Sequence, residues 1–407
     1  GVVDVNGMSS GELEVIGDHD WFAINLIENQ NYQFDLVGES LIDPYLYLRD
    51  RNGVLITQND DITLGVNRNS RITYSANTSG TYFLDVGAWN NTFTGSYSIS
   101  AFNLEENSSG PSYFSHTNGY GMANVERAFE ELLSIDLPSV AELGGNLWGL
   151  DNIGAPEVWT GTEDFTGITG QGITVAVIDT GVDLDHSEFA GRIVQGWDFV
   201  DDDPFADDGQ GHGTHVAGTI AGANDGIGIT GVAYNANIMP IRVLDNNGSG
   251  SLSDVTAGIR YAADNGADVI NLSLGGGGYN SNMYEAIQYA SELGSVVVMA
   301  SGNSGSSLPG YPAMYASDYG IAVGAVDINR QMAYFSNRAG TEIMDYVTAP
   351  GVNIYSSLPG NSYGSLSGTS MATPHISGIA ALITSYDNSL STERIEEIII
   401  NSGSHYT

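Results

Sequence analysis

Between residues 11 and 102, apolar and polar positions alternate over short runs: WFAINL, YQFDLV, YLYLRD, RITYSA, TYFLDV and SYSISA. Each run is bounded by clusters of Asn, Asp, Gly and Ser. A period of two turns one side of a run toward a core and the other toward water, so these runs predict the strands of an antiparallel β-sandwich. After Glu105 the stretch ENSSGPS has linker composition. The period then changes, and over residues 123–135 Val125, Ala128, Phe129, Leu132 and Leu133 share one helical face. From residue 171 onward, solid apolar runs (ITVAVID, DVINLSL, SVVVMAS, IAVGAV) alternate with helical stretches over 253–265 and 282–293. Runs of this kind separated by helices predict a mostly parallel α/β sheet, with functional residues at the C-terminal ends of its strands. The expected organisation is a small sandwich domain over 1–102, a linker and helix over 103–145, and an α/β domain over 146–407.

Length and composition narrow the functional classes. At 407 residues and 42% hydrophobic, the chain is long enough for two or three domains and can bury an ordinary core. Forty-nine acidic residues against eleven basic ones leave a formal charge of −38, which repels phosphate backbones and anionic lipid heads. Nucleic acid and membrane partners are therefore not expected. So many carboxylates fit either solubility in a salty medium or binding of divalent cations. There is no cysteine, so neither disulfides nor thiolate metal sites are available. No run of about 18 apolar residues could span a bilayer. The expectation is a secreted, extracellular monomer that is stapled by calcium, with Gly1 following a removed leader.

Three motifs follow one another in the α/β region: VAVIDTGVD around Asp179, GHGTHVAG around His212 and LSGTSMATPH around Ser370. A serine hydroxyl is a poor nucleophile until an imidazole takes its proton, and an imidazole needs a carboxylate to fix its tautomer. Taken singly, Asp179 could be a turn residue, His212 a packed histidine and Ser370 a helix cap. In this order and spacing, over residues 146–402, the three resemble the subtilisin family of serine proteases, thermitase-like members most closely. The resemblance implies a three-layer fold with a mostly parallel sheet and an endopeptidase whose base, orienting carboxylate and nucleophile are His212, Asp179 and Ser370. It also makes Asn303, in ASGN, the side-chain donor to the oxyanion, beside the Ser370 backbone N–H at the start of a helix. His215, three residues after His212, is expected to be structural. Residues 1–102 resemble bacterial pre-peptidase domains through GDHDWF, DPYLYLRDRNG, NDD and SGTYFLDVGA. A competing reading is an adhesive protein whose sandwich holds a polymer or a protein; the intact triad argues against it.

By the same resemblance, a protein or peptide substrate is bound as an added strand between Gly248-Ser249-Gly250 and Ser273-Leu274-Gly275. Gly310 in PGYPA would floor the pocket for the residue before the scissile bond and leave depth for a large apolar or aromatic side chain. Ser304 falls where some relatives carry a rim carboxylate. Broad cleavage after Phe, Tyr, Leu or Met is expected, although the −38 field favours basic substrates.

Six aspartates lie between Asp198 and Asp208, just before His212. Their spacing resembles a family calcium loop, which implies side-chain ligands Asp198, Asp201, Asp203 and Asp207 and the carbonyl of Phe205. Hard oxygen donors suit calcium better than zinc. A second family site is implied at Glu188 and Asp225 with the carbonyls of Ala223, Ile227 and Ile229. In the sandwich, Asp18, Asp20, Asp43, Asp60 and Asp61 either hold a further ion or form turns.

Subtilisins continue past the helix expected over 393–400 with a tyrosine-glycine turn and a final helix. Here the segment NGYGMANVERAFEEL, from Asn118, resembles that terminal sequence but precedes the α/β domain. A permuted arrangement is expected, in which residues 120–133 pack where the family's last helix sits. A propeptide remnant or a truncated chain are the alternatives.

Overall fold

The structure is a computed structural model that describes residues 1–407 except 4, 6, 29, 39, 61–67, 104–113, 163–164 and 405–407. The chain divides into two compact units, Gly1–Tyr113 and Phe114–Thr407. The linker stretch ENSSGPS lies outside the described residues.

The first unit contains strands β1 (Gly7–Leu13), β2 (Asp20–Leu26), β3 (Asn31–Gly38), β4 (Pro44–Arg49), β5 (Leu55–Asn59), β6 (Ser70–Ser75), β7 (Gly80–Ala88) and β8 (Gly95–Asn103). They form two four-stranded antiparallel sheets, in the orders β1-β8-β3-β6 and β2-β7-β4-β5. The alternation read from the sequence becomes burial: Phe22, Ile24 and Leu26 of β2, Leu46 and Leu48 of β4, and Tyr97 and Ile99 of β8 enter one core, while Trp21 and Asn25 face water. The first strand begins at Gly7, ahead of the alternation noted from residue 11.

In the second unit, α1 (Val125–Leu133), α2 (Trp148–Asn152) and α3 (Ala155–Trp159) precede a parallel sheet. Its strands are β9 (Thr174–Asp179), β10 (Trp197–Asp198), β11 (Asn237–Arg242), β12 (Val269–Leu272), β13 (Val296–Ala300), β14 (Ile321–Val326) and β15 (Tyr346–Pro350). Their order is β10-β11-β9-β12-β13-β14-β15, and every pairing is parallel. Helices α4 (His212–Ala221), α5 (Leu252–Asp264), α6 (Ser281–Glu292), α7 (Thr369–Tyr386) and α8 (Thr392–Asn401) cover it, and β16 (Ile354–Leu358) pairs with β17 (Ser362–Leu366) as a hairpin. The solid apolar runs are explained by two cores. Val175 and Val177 join Val216 and Ile379 on one face of the sheet, whereas Ala176 and Ile178 join Ile259 and Ile287 on the other. This is a three-layer α/β fold with a mostly parallel sheet, distinct from the antiparallel sheets of the first unit.

Residues 114–145 fall within this second unit. The backbone around Met122 runs along β15: Tyr120 N–H donates to Tyr346 O at 2.8 Å, Thr348 N–H to Gly121 O at 2.8 Å, and Ala123 N–H to Thr348 O at 3.1 Å. A sheet edge that would otherwise stand open is thereby paired. Met122 also exchanges backbone bonds with Ser404, and Asn124 caps α1 by accepting from Arg127 N–H at 2.8 Å. Phe129 is fully buried, with ring contacts to Phe165 at 5.8 Å and Tyr386 at 5.7 Å.

Candidate active site

Asp179 ends β9 and is fully buried. Its two carboxylate oxygens lie 2.8 and 2.9 Å from His212 Nδ1. A carboxylate can only accept, so Nδ1 carries the hydrogen and Nε2 keeps the lone pair. Burial works to lower the His212 pKa, yet the charge and hydrogen bond of Asp179, aided by Asp208, raise it above the ordinary imidazole value. His212 is the first residue of α4, and the turn after β9 locks that helix start in place. Thr180 Oγ1 donates to Asp208 Oδ1 at 2.9 Å and accepts from Gly213 N–H at 3.0 Å. A Cβ on Gly213 would stand 2.0 Å from Gly181 O, so only glycine permits this approach.

Asp208 is the hub that sequence reasoning missed, counting it only among the six acids. Its buried carboxylate also accepts from the N–H groups of Gln210, Gly211 and Thr214 at 2.8–3.0 Å and from Thr214 Oγ1 at 2.6 Å. It thus caps α4 at the end where the helix dipole favours an anion.

Ser370 is the second residue of α7, half-buried. Its carbonyl accepts from Ser273 Oγ at 2.8 Å, Ser273 Oγ accepts from Asn271 Nδ2 at 2.9 Å, and Asn271 Oδ1 accepts from Ser377 Oγ at 2.8 Å. This chain joins the end of β12 to the first turns of α7. Asn303 follows β13, and its Oδ1 accepts from Thr369 N–H at 2.8 Å and Thr369 Oγ1 at 3.1 Å. With its oxygen engaged, the amide nitrogen is left to donate. A Cβ placed on Gly368 would lie 3.4 Å from that nitrogen and 3.7 Å from Ser370 N, which puts both donors around one small space.

His215 is fully buried and donates from Nε2 toward Ile354 O at 3.0 Å and Gly364 O at 3.2 Å. Burial pushes its pKa down to about 4, so it stays neutral and packs, as a structural histidine does.

Gly248, Ser249 and Gly250 are exposed, whereas Ser273, Leu274 and Gly275 pass from buried to exposed. A Cβ on Gly310 would meet nothing nearer than Ser301 O at 3.7 Å. The loop above it hangs on Asn337, unmarked by any motif. Its Oδ1 accepts from Ser304 N–H, Ser304 Oγ and Ser306 N–H at 2.9–3.1 Å, and its Nδ2 donates to Ser301 O at 2.8 Å.

In the acidic loop the aspartates meet protein donors. Arg242 donates from Nη1 to Asp198 at 2.6 Å and to Asp201 at 2.7 Å, and the other Asp198 oxygen accepts from the N–H groups of Val200 and Asp201. Arg242, ending the neighbouring strand β11, reaches between these two carboxylates. Asp203 and Asp207 each accept a single backbone bond, from Phe205 and Leu184 N–H, and Phe205 O accepts from Asp207 N–H. Glu188 is buried and accepts from Ala223 N–H at 2.8 Å, Ile229 N–H at 3.3 Å and Tyr363 Oη at 2.7 Å. Asp225 and Ile227 are exposed, joined by an Asp225 Oδ1 bond to Ile227 N–H. In the sandwich, Asp18 accepts turn N–H groups, Asp20 accepts from Tyr97 Oη at 2.5 Å and Asp43 pairs with Arg68 at 3.1 Å; Asp60 is half-buried, and Asp61 lies outside the described residues. Among the described residues no three His, Asp or Glu side chains are gathered as a metal group, and no helix is long and apolar enough to cross a membrane.

Comparison with known proteins agrees with this geometry. The sequence profile of the subtilase family matches residues 170–406, and that of the bacterial pre-peptidase C-terminal domain matches residues 18–88. Thermitase of Thermoactinomyces vulgaris is 48% identical over 248 residues, which are 61% of this chain and 85% of that protein. Alkaline elastase YaB of Bacillus sp. (strain YaB) is 43% identical over 259 residues, 63% of this chain and 65% of that protein. Among solved structures, a cold adapted subtilisin-like serine proteinase has a TM-score of 0.53 at 39% identity, covering 61% of this chain and 88% of its own. Sphericase has a TM-score of 0.55 at 34% identity, covering 63% and 89%. The chain therefore belongs to the subtilase family of serine endopeptidases and carries a pre-peptidase type domain before its protease domain.

Proposed function

We propose that the protein is a secreted, calcium-stabilised endopeptidase that cleaves after large apolar or aromatic residues, with Ser370 as nucleophile, His212 as base and Asp179 as the group that orients His212. The observation that carries this reading is the buried Asp179–His212 pair, together with an Asn303 amide locked beside the start of the Ser370 helix. Ser370 Oγ attacks the peptide carbonyl while its proton passes to His212 Nε2, and Asp179 steadies the imidazolium without taking the proton. The Ser370 N–H and the Asn303 amide hold the oxyanion; a donor of this kind contributes about 3 kcal/mol to the transition state. His212 then protonates the leaving amine, and water releases the acyl group with His212 again as base. Labelling of Ser370 by a fluorophosphonate, lost in His212→Ala, tests the assignment; an unlabelled native protein would favour the adhesive alternative.

The open space at Gly310, and a Ser304 tied to Asn337 in place of a rim carboxylate, support the preference for large apolar residues. A peptide library cleaved only after Arg or Lys would overturn it. For calcium, Asp203 and Asp207 fit as ligands, since each has lone pairs to spare and their loop leads into α4. Bound there, the ion would supply the counter-charge that a loop with one arginine against six aspartates lacks. Chelation should lower the melting temperature and slow casein hydrolysis; indifference of both would remove calcium from this reading. We also read residues 120–133 as standing where the family's last helix packs, supported by their bonds to β15 and Ser404 and by the burial of Phe129.

A further inference from the structure

Between α5 and α6 lies an open cleft of about 570 Å³, lined by Leu252, Thr256 and Arg260 from one helix and Asn280, Asn282 and Glu285 from the other. Leu252, Thr256 and Arg260 are spaced by four residues, so they form one stripe roughly 12 Å long at 1.5 Å per residue. An extended peptide covers that length with about four residues.

The cleft begins where the two strand-binding segments end. Gly248-Ser249-Gly250 runs straight into Ser251, whose side chain caps α5, and Ser273-Leu274-Gly275 runs through three further glycines and Tyr279 to Asn280, whose side chain caps α6. Ser273 touches the Ser370 carbonyl, which marks the reacting end; residues after it lead away from the nucleophile. Gly276 N–H donates to Tyr311 O at 3.0 Å, beside Gly310, so this direction follows the acyl side of the substrate. A chain bound between the segments and longer than they can hold is delivered into the cleft.

Arg260 gives the cleft a chemical preference. Its guanidinium lies 4.9 Å from the Tyr289 ring centroid, and the Tyr289 hydroxyl is anchored on Asp264 at 2.6 Å. Among the described residues Arg260 makes no ion pair within 4.0 Å, although Glu285 lines the same cleft. In a chain of 49 acids and 11 basic residues, a cation held on a ring and left without a carboxylate is available to a ligand. We propose that this cleft is an extended substrate subsite in which Arg260 selects an acidic side chain about five to eight residues before the scissile bond. The inference rests on the endopeptidase reading and deepens it.

The test compares ten-residue peptides carrying Glu, Gln or Arg at each of those positions with a tetrapeptide too short to reach the cleft. Exposed ion pairs contribute at most about 1 kcal/mol, so kcat/KM for the best Glu peptide should exceed that of its Gln counterpart by up to about fivefold at low salt, less at high salt. Arg260→Gln should bring this ratio to one, and Glu285→Gln should raise it; a ratio is insensitive to how much of either variant folds. Equal cleavage of Glu and Gln peptides, a Glu preference that survives Arg260→Gln, or a preference for Arg would overturn the proposal while the tetrapeptide is still hydrolysed. Failure to hydrolyse even the tetrapeptide would sink the endopeptidase reading instead.

Discussion

Asp208→Asn changes one buried oxygen to an NH2 group and removes one charge, and the structure sets what that costs. Asp208 Oδ1 accepts from Thr180 Oγ1, Gln210 N–H and Gly211 N–H, and Oδ2 accepts from Thr214 N–H and Thr214 Oγ1. The amide is best tolerated at the Oδ2 side, where the Thr214 hydroxyl can turn to accept. Even there the Thr214 N–H is left facing a donor, a loss of about 1–3 kcal/mol, and the remaining bonds lose their charge assistance. The expected destabilisation is about 3 kcal/mol, or about 6 °C in melting temperature for a unit of this size. Melting of Asp208→Asn in a Ser370→Ala background, which prevents self-digestion, measures it. A second effect follows from charge: Asp208 helps to raise the His212 pKa, and the base is active when neutral, so the acidic limb of kcat/KM should move to lower pH in Asp208→Asn. An unchanged melting temperature together with an unmoved limb would refute the view that Asp208 holds the start of α4 beneath His212.

Gly368→Ala should lower kcat by about 10-fold or more with little change in stability, because the new methyl stands 3.4 Å from the Asn303 amide nitrogen; kinetics alongside thermal melts separate the two effects. Glu396, buried in α8, has its pKa pushed up to about 8 by burial and by the charges of Asp345 and Glu393, with Asp345 itself at about 6. The folded state thus keeps a proton that the unfolded chain releases near pH 4, so stability is full below that pH and declines until about pH 8. Glu396→Gln should flatten that decline, by on the order of 5 kcal/mol at pH 9, in urea unfolding at several pH values. Phe129→Ala should cost about 3–5 kcal/mol and reduce activity in step with stability, as measured by melting and peptide hydrolysis; a neutral effect would mean that α1 is dispensable to the protease core.

The elements were legible in the sequence because their information is local. Alternation over residues 21–26 or 81–86 already says which side chains turn inward, and the unbroken run IAVGAV says that β14 is covered on both faces, as its six buried residues are. The positions of Asp179 at a strand end and of Ser370 at a helix start were legible in the same way, from the apolar runs beside them, whereas the helix start at His212 came from the structure. Tertiary structure alone decided which polar groups answer one another. Asn337 holds a loop 31 to 36 residues away, Asn271 meets Ser377 across 106 residues, and Arg242 reaches back 44 residues to Asp198. A hydrogen bond is satisfied by whichever donor the packed backbone brings within about 3 Å. Neighbours in space are fixed by the order of strands in the sheet, and no period along the chain records that order.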